Sequence, residues 1–181
     1  MPDHIKGLRP GKAAALGSDW SERVAMMDQM IEAPRRVLFL CTGNSCRSIM
    51  AEAILARLGG GRYCAYSAGS HPAGVVNPNT LELLAAKGHD IAGFNSKSWD
   101  GFTNPGAVEM DLIITVCDNA AGEACPIWLG HPENAHWPFP DPAVFRGSAD
   151  EIRAHYAQIY ERIDARIQKF LDDVEDIEDA G

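Results

Sequence analysis

The stretch VLFLCTGNSCRSIMAEAIL, Val37 to Leu55, joins three unlike patterns within nineteen residues. Val37-Leu38-Phe39-Leu40 is a short continuous apolar run, as expected of a strand buried on both faces of a parallel sheet. Cys41 to Ser48 is small and polar, which predicts a turn. From Ile49 the apolar residues recur at helical spacing until Gly59-Gly60-Gly61 ends the helix. The order is strand, loop, helix.

The alternation continues outward. Tyr63 to Ser67 reads as a second strand, Asn79 to Lys87 as a helix opened by Asn77-Pro78, and Leu112 to Val116 as another buried strand. A helix or helical loop is expected over Ala120 to Cys125, a short strand over His136 to Phe139, and a long amphipathic helix over Asp150 to Val174. In that helix Ile152, Tyr156, Ile159, Ile163, Ile167 and Leu171 form one stripe. Strands alternating with helices predict an α/β fold with a parallel sheet flanked on both faces. Before Pro34 a Gly, Pro and Ala-rich start leads into an expected helix over Ser21 to Ile31. Residues 1–34 are therefore read as an N-terminal extension, partly helical or flexible, 35–175 as the single domain, and 176–181 as an acidic tail.

Composition narrows the function. A formal charge of −9 and a pI near 5.0 disfavour nucleic acid, whose binding needs clustered Lys and Arg. No run of eighteen apolar residues is present and the first twenty residues have no apolar signal core, so no membrane span and a cytoplasmic location are expected. Five cysteines at no disulfide-scaffold or zinc spacing are thiols by default in that compartment. The histidines, His4, His71, His89, His131, His136 and His155, lack metal-ligand spacing, and His136 beside Trp137 reads as structural. Neither a metal nor an organic cofactor is expected.

An acidic chain that holds an anion has to build a local positive site, and Cys41-Thr42-Gly43-Asn44-Ser45-Cys46-Arg47-Ser48 has the parts. A loop between a buried strand and a helix turns several backbone N–H groups toward one point, and the helix N-terminus adds roughly half a positive charge. Arg47 adds a planar guanidinium able to grip an oxyanion through two hydrogen bonds. The same field is expected to favour the Cys41 thiolate, with Ser48 donating to it. Gly43 and Asn44 suit a left-handed backbone.

The segment Val37–Leu55, with YSAG at Tyr66 to Gly69 and the late pair Asp141-Pro142, resembles the low-molecular-weight protein tyrosine phosphatases from about Arg36 to Phe170. The resemblance implies a three-layer α/β/α fold on a four-stranded parallel sheet. It also implies that Cys41 is the nucleophile, that Asp141 is the general acid, and that Cys46 points into the cradle. By itself Asp-Pro is also a common start of a turn. Two branches share this cradle: phosphatases, which hydrolyse a cysteinyl phosphate, and arsenate reductases, which use further cysteines. Reducing arsenate takes two electrons, which a pair of thiols supplies by forming a disulfide. Cys117 follows its strand as Cys41 follows its own, and in a parallel sheet both ends lie on one edge.

The stretch TVCDNAAGEACPIW, with HWPFPDPA after it, looks like the reductases: Ile49 and Ala143 stand where phosphatases carry Pro and an aromatic residue. That likeness implies a relay in which Cys117 attacks Cys41, Cys125 attacks Cys117, and thioredoxin reduces the result. Glutaredoxin with glutathione, or mycothiol, is the other donor route, because seven residues separate Cys117 and Cys125 where six are usual. On an unbroken helix these two Cα atoms would lie about 12 Å apart, so their bond requires the segment to remodel. Some family members bind potassium through Asn, Glu, Ser and Asp. Asn44, Glu52 and Ser67 match, but Lys97 occupies the acidic position, and its ammonium is expected to replace the cation. A phosphatase without a task for Cys117, and a non-catalytic oxyanion sensor, are the other readings.

Overall fold

A computed structural model describes residues 33–122 and 126–179, with side chains described through residue 120 and from 126 to 174. The helix expected over Ser21–Ile31, and Cys125 itself, lie outside the described residues. Four strands, β1 (Arg35–Cys41), β2 (Tyr63–Gly69), β3 (Leu112–Thr115) and β4 (Glu133–His136), form one parallel sheet in the order β2-β1-β3-β4. Its helices are α1 (Arg47–Leu58), α2 (Pro78–Ala86), α3 (Asp118–Gly122) and α4 (Ala149–Asp179), with two short 3-10 turns at Trp99–Phe102 and Pro142–Val144.

The continuous apolar run of β1 is explained by its central place. Val37, Phe39 and Cys41 face a core shared with α1 and α4, while Leu38 and Leu40 face a second cluster with Ala68, Met110 and Ile113. That second face is closed by Tyr66, Trp99, Phe102 and Trp128 rather than by a long helix. On the first face Tyr156, Ile159, Ile163, Ile167 and Leu171 of α4 are buried, as the stripe predicts, while Ile152 at its start is only partly buried and Tyr160, outside the stripe, is buried beside it. At about 1.5–3 kcal/mol for each large apolar side chain removed from water, this stripe contributes strongly to the core it shares with α1.

Three boundaries differ from expectation. β2 continues two residues beyond Ser67, because Gly69 completes the register against Cys41. β4 begins at Glu133 rather than His136, and the chain after it still follows β3, with Trp137 N donating to Thr115 O at 2.8 Å and Phe139 N to Val116 O at 3.2 Å. The last helix runs on through the acidic residues to Asp179. A helix already anchored by its apolar stripe propagates at one hydrogen bond per added residue, so a polar end need not stop it.

The order β2-β1-β3-β4 places β1 between β2 and β3, and this is where the sheet prepares a site. Connections from the C-terminal ends of β1 and β3 leave in different directions, and the crevice between them is where open α/β sheets bind ligands.

Candidate active site

Residues 42–46 leave the end of β1 as an irregular loop and enter α1 at Arg47. Cys46 is the N-cap and no side chain caps the helix, so its first N–H groups remain for a ligand. Asn44 takes the left-handed conformation, with φ 43°; Gly43, expected to share it, does not. Asn44 can hold that position because its fully buried amide is bonded on three sides. Nδ2 donates to Ser48 Oγ at 3.0 Å and to Ser67 Oγ at 2.9 Å, and Oδ1 accepts from Lys97 N at 2.8 Å. The second strand supports the loop from below, and a Cβ built on Gly69 would stand 2.5 Å from Thr42 O and 3.0 Å from Asn44 N. Gly69→Ala is therefore expected to push the loop out of shape, costing about 1–3 kcal/mol of stability as overpacking does. Chemical unfolding measures that loss.

The Cys41 sulfur sits at the floor, 4% exposed, accepting from Asn44 N at 3.1 Å and 2.9 Å from Ser48 Oγ. Above it opens a cavity of about 280 Å³ lined by Cys41, Thr42, Gly43, Ser45, Cys46, Arg47, Asn119, Asp141 and Ala143. The loop and the late Asp-Pro, a hundred residues apart in sequence, meet here. Arg47 Nη1 donates to Phe139 O at 2.9 Å and Nη2 to Asp141 Oδ2 at 3.0 Å, while Asp141 Oδ1 accepts from Ala143 N at 3.0 Å. Asn119 was not expected; it is polar, one of several such residues in its turn, and nothing in the sequence distinguishes it.

Cys117 is brought close but lies behind the cavity wall. It is buried, its Sγ 3.7 Å from Thr42 Oγ1, and it accepts from Ala120 N at 3.4 Å. It is not among the residues that line the cavity, and Thr42, which is, touches it. Cys46 lines the cavity, with its Sγ 3.7 Å from the Tyr156 hydroxyl.

A model of the low molecular weight phosphotyrosine protein phosphatase family matches residues 36–179. The chain belongs to this family. Among the relatives of this family member, an arsenate reductase of Bacillus licheniformis is 36% identical over 139 residues, 76% of this chain and 96% of that protein. A solved thioredoxin-dependent arsenate reductase of Corynebacterium glutamicum superposes with a TM-score of 0.56 at 26% identity, over 87% of this chain and 70% of the other. An arsenate reductase solved in an oxidized state gives a TM-score of 0.57 at 27% identity, over 75% of this chain and 98% of the other.

Two features of this phosphatase-family cradle concern charge. Burial pushes the Cys41 thiol above its ordinary value, against the Ser48 hydroxyl and the Asn44 amide, and the neighbouring Cys117 adds to the rise. This corrects the expected thiolate: Arg47 is committed to Asp141 and Phe139, and the amides alone do not offset removal of the sulfur from water. The Ser48 hydroxyl is the strongest influence holding the value down. Ser48→Ala is expected to raise the midpoint of Cys41 alkylation by about one pH unit, the worth of one hydrogen bond to a charged group. Rates of iodoacetamide labelling across pH measure it.

Behind Asn44, Ser67 Oγ donates to Glu52, and Lys97 Nζ lies 3.6 Å from the same carboxylate oxygen. Burial raises the Glu52 carboxyl, while Lys97 and Ser67 oppose the rise. The ammonium occupies the place a monovalent cation would need, so these residues do not fit potassium. Among the described residues no group of three His, Cys, Asp or Glu side chains is gathered as metal ligands, and no helix is long and apolar enough to cross a membrane.

Proposed function

We propose that the chain is an arsenate reductase that converts arsenate to arsenite in the cytoplasm through a thiol relay beginning at Cys41. The observation that carries this reading is Cys117, a buried free thiol at the end of the strand beside β1, near enough to Cys41 to influence its charge. A hydrolytic enzyme has no use for it.

Arsenate enters the cavity as an oxyanion, and Arg47 exchanges Asp141 for the ligand, bridging two of its oxygens while the loop amides hold the third. The Cys41 proton passes to the arriving dianion, which resolves the cost of a buried thiolate, because the charge is made only when Arg47 and the amides face it. The sulfur attacks arsenic. Asp141, released from Arg47, relays that proton to the departing oxygen, which leaves as water. Cys117 then attacks the Cys41 sulfur. Cys125 takes over the bond to Cys117, and an external dithiol protein, thioredoxin in our reading, reduces the Cys117–Cys125 disulfide. Glutaredoxin with glutathione, or mycothiol, is the other donor route.

Among the described residues no aromatic ring lines the cavity, which favours this reading over a tyrosine phosphatase, which has to grip a phenyl group; Ala143 is in the lining. Arsenite formation by the full chain is expected with thioredoxin, thioredoxin reductase and NADPH, at a rate unchanged when potassium replaces sodium. Hydrolysis of para-nitrophenyl phosphate with no arsenite from any of the three thiol systems would instead establish the phosphatase.

A further inference from the structure

Asp118, the first residue of α3, directly follows Cys117, and its carboxylate reaches across to the next strand. Asp118 Oδ1 lies 3.1 Å from His136 Nε2, and His136 Nδ1 lies 2.8 Å from Thr115 Oγ1. A carboxylate only accepts, so Nε2 carries the hydrogen and donates to Asp118. Thr115 and His136 are direct partners in the β3–β4 register, which fixes the imidazole on the sheet. The chain thus has an anchored base, Thr115 with His136, and a tether to the start of α3.

The tether matters because α3 has five residues, too few to hold a helical shape unaided. Its first turn surrounds the Cys117 sulfur through Ala120 N and sets Asn119 on the cavity wall. Cys117 has to reach Cys41, and Cys125 has to approach Cys117 afterwards. A start of α3 that moved with its end would carry the Cys117 sulfur away at the moment of attack.

We propose that Asp118 and His136 form a clasp that positions Cys117 for attack on Cys41 while the rest of α3 stays free to remodel. They are positioning residues for the reductive half of the reaction, and the inference rests on the reductase reading above. In the step concerned, the Cys117 sulfur attacks the sulfur of the Cys41–arsenic(V) adduct as its thiol proton passes to an oxygen of the departing arsenic group. The new S–S bond forms, the S–As bond breaks, and its electron pair leaves on arsenic, which departs as arsenite. Each sulfur is oxidised by one electron and arsenic is reduced by two.

The Asp118 side chain is 84% exposed and that of His136 39%, so an ion pair here contributes little to folding, and its removal leaves the fold standing. The test is rapid mixing of the fully reduced chain with arsenate, acid quenching, and mass spectrometry of the Cys41–Cys117 disulfide. It compares wild type with Asp118→Ala, His136→Ala, the double variant and Asp118→Asn.

The alanine variants are expected to form the disulfide about 3–10-fold more slowly, with the double variant no slower than either single change, as for two ends of one contact. Asp118→Asn, which keeps an acceptor for Nε2, returns the rate to within about two-fold. Hydrolysis of para-nitrophenyl phosphate, which needs Cys41 but not Cys117, is expected to stay within about two-fold throughout. Unchanged disulfide formation in the alanine variants, or a parallel fall in hydrolysis, overturns the clasp. A wild-type chain that makes no Cys41–Cys117 disulfide with arsenate overturns the reductase reading itself, a result separate from any difference among the variants.

Discussion

Cys41→Ser is expected to lower arsenite production and phosphoester hydrolysis together, each by roughly 10⁴-fold or more, as loss of a catalytic nucleophile does. The reason lies in the site's geometry. The cavity opens above one sulfur, and Ser48 Oγ and Asn44 N hold that atom in place. A serine oxygen keeps those contacts but is far harder to ionise, and burial, which already raises the thiol, would raise a hydroxyl as well. Oxyanion binding should survive, since Arg47, Thr42, Gly43 and Ser45 still line the cavity. Isothermal titration with phosphate, run beside the two activity assays, separates loss of chemistry from loss of binding. Retention of more than about one hundredth of the arsenite activity would remove Cys41 from the nucleophile's role.

Cys117→Ser is expected to divide the two activities. Phosphoester hydrolysis uses the cavity alone, and because Cys117 does not line it the rate should stay within about two-fold of wild type. Arsenate reduction instead loses its internal thiol. A donor thiol present at about millimolar concentration would have to replace one with an effective concentration of molar or above, so turnover should fall roughly 10³-fold. Steady-state arsenite production measures it, and trapping of a Cys41-linked arsenic adduct by mass spectrometry shows where the reaction stops. A variant that reduces arsenate as fast as wild type would leave Cys117 a structural thiol beside Thr42.

The two results probe different links between sequence and site. The nucleophile and its cradle are contiguous, and Cys41 to Ser48 could be read as an anion loop from local chemistry because strand, turn and helix each have their own sequence pattern. That Asp141 joins the cradle was an expectation drawn from the family likeness; its 3.0 Å ion pair with Arg47, 94 positions away, was not expected. Other features had no sequence signal. Asn119 lines the cavity because β3 ends at Thr115 and the chain turns through Cys117 into α3. The Asp118–His136 contact exists because β4 pairs with β3 in one register among several, and His136 reads in sequence as an ordinary residue beside Trp137. The ionisation of Cys41 was misjudged for a related reason: the pull of the loop is visible in the sequence, but the depth of the sulfur and the commitment of Arg47 elsewhere are not.

The sequence by itself determined the order of strands and helices, the apolar stripe of the last helix, and the turn from Cys41 to Ser48 between a buried strand and a helix. All of these depend on residues close together in the chain, where periodicity and backbone preference act directly. Only the tertiary structure decided how the elements combine: that the second face of the sheet is closed by aromatic side chains, that Lys97 meets Glu52 beneath the loop, and that Thr42 touches Cys117. Contacts between distant segments depend on strand register and on how deeply each side chain is buried, and neither quantity is written in any local run of residues.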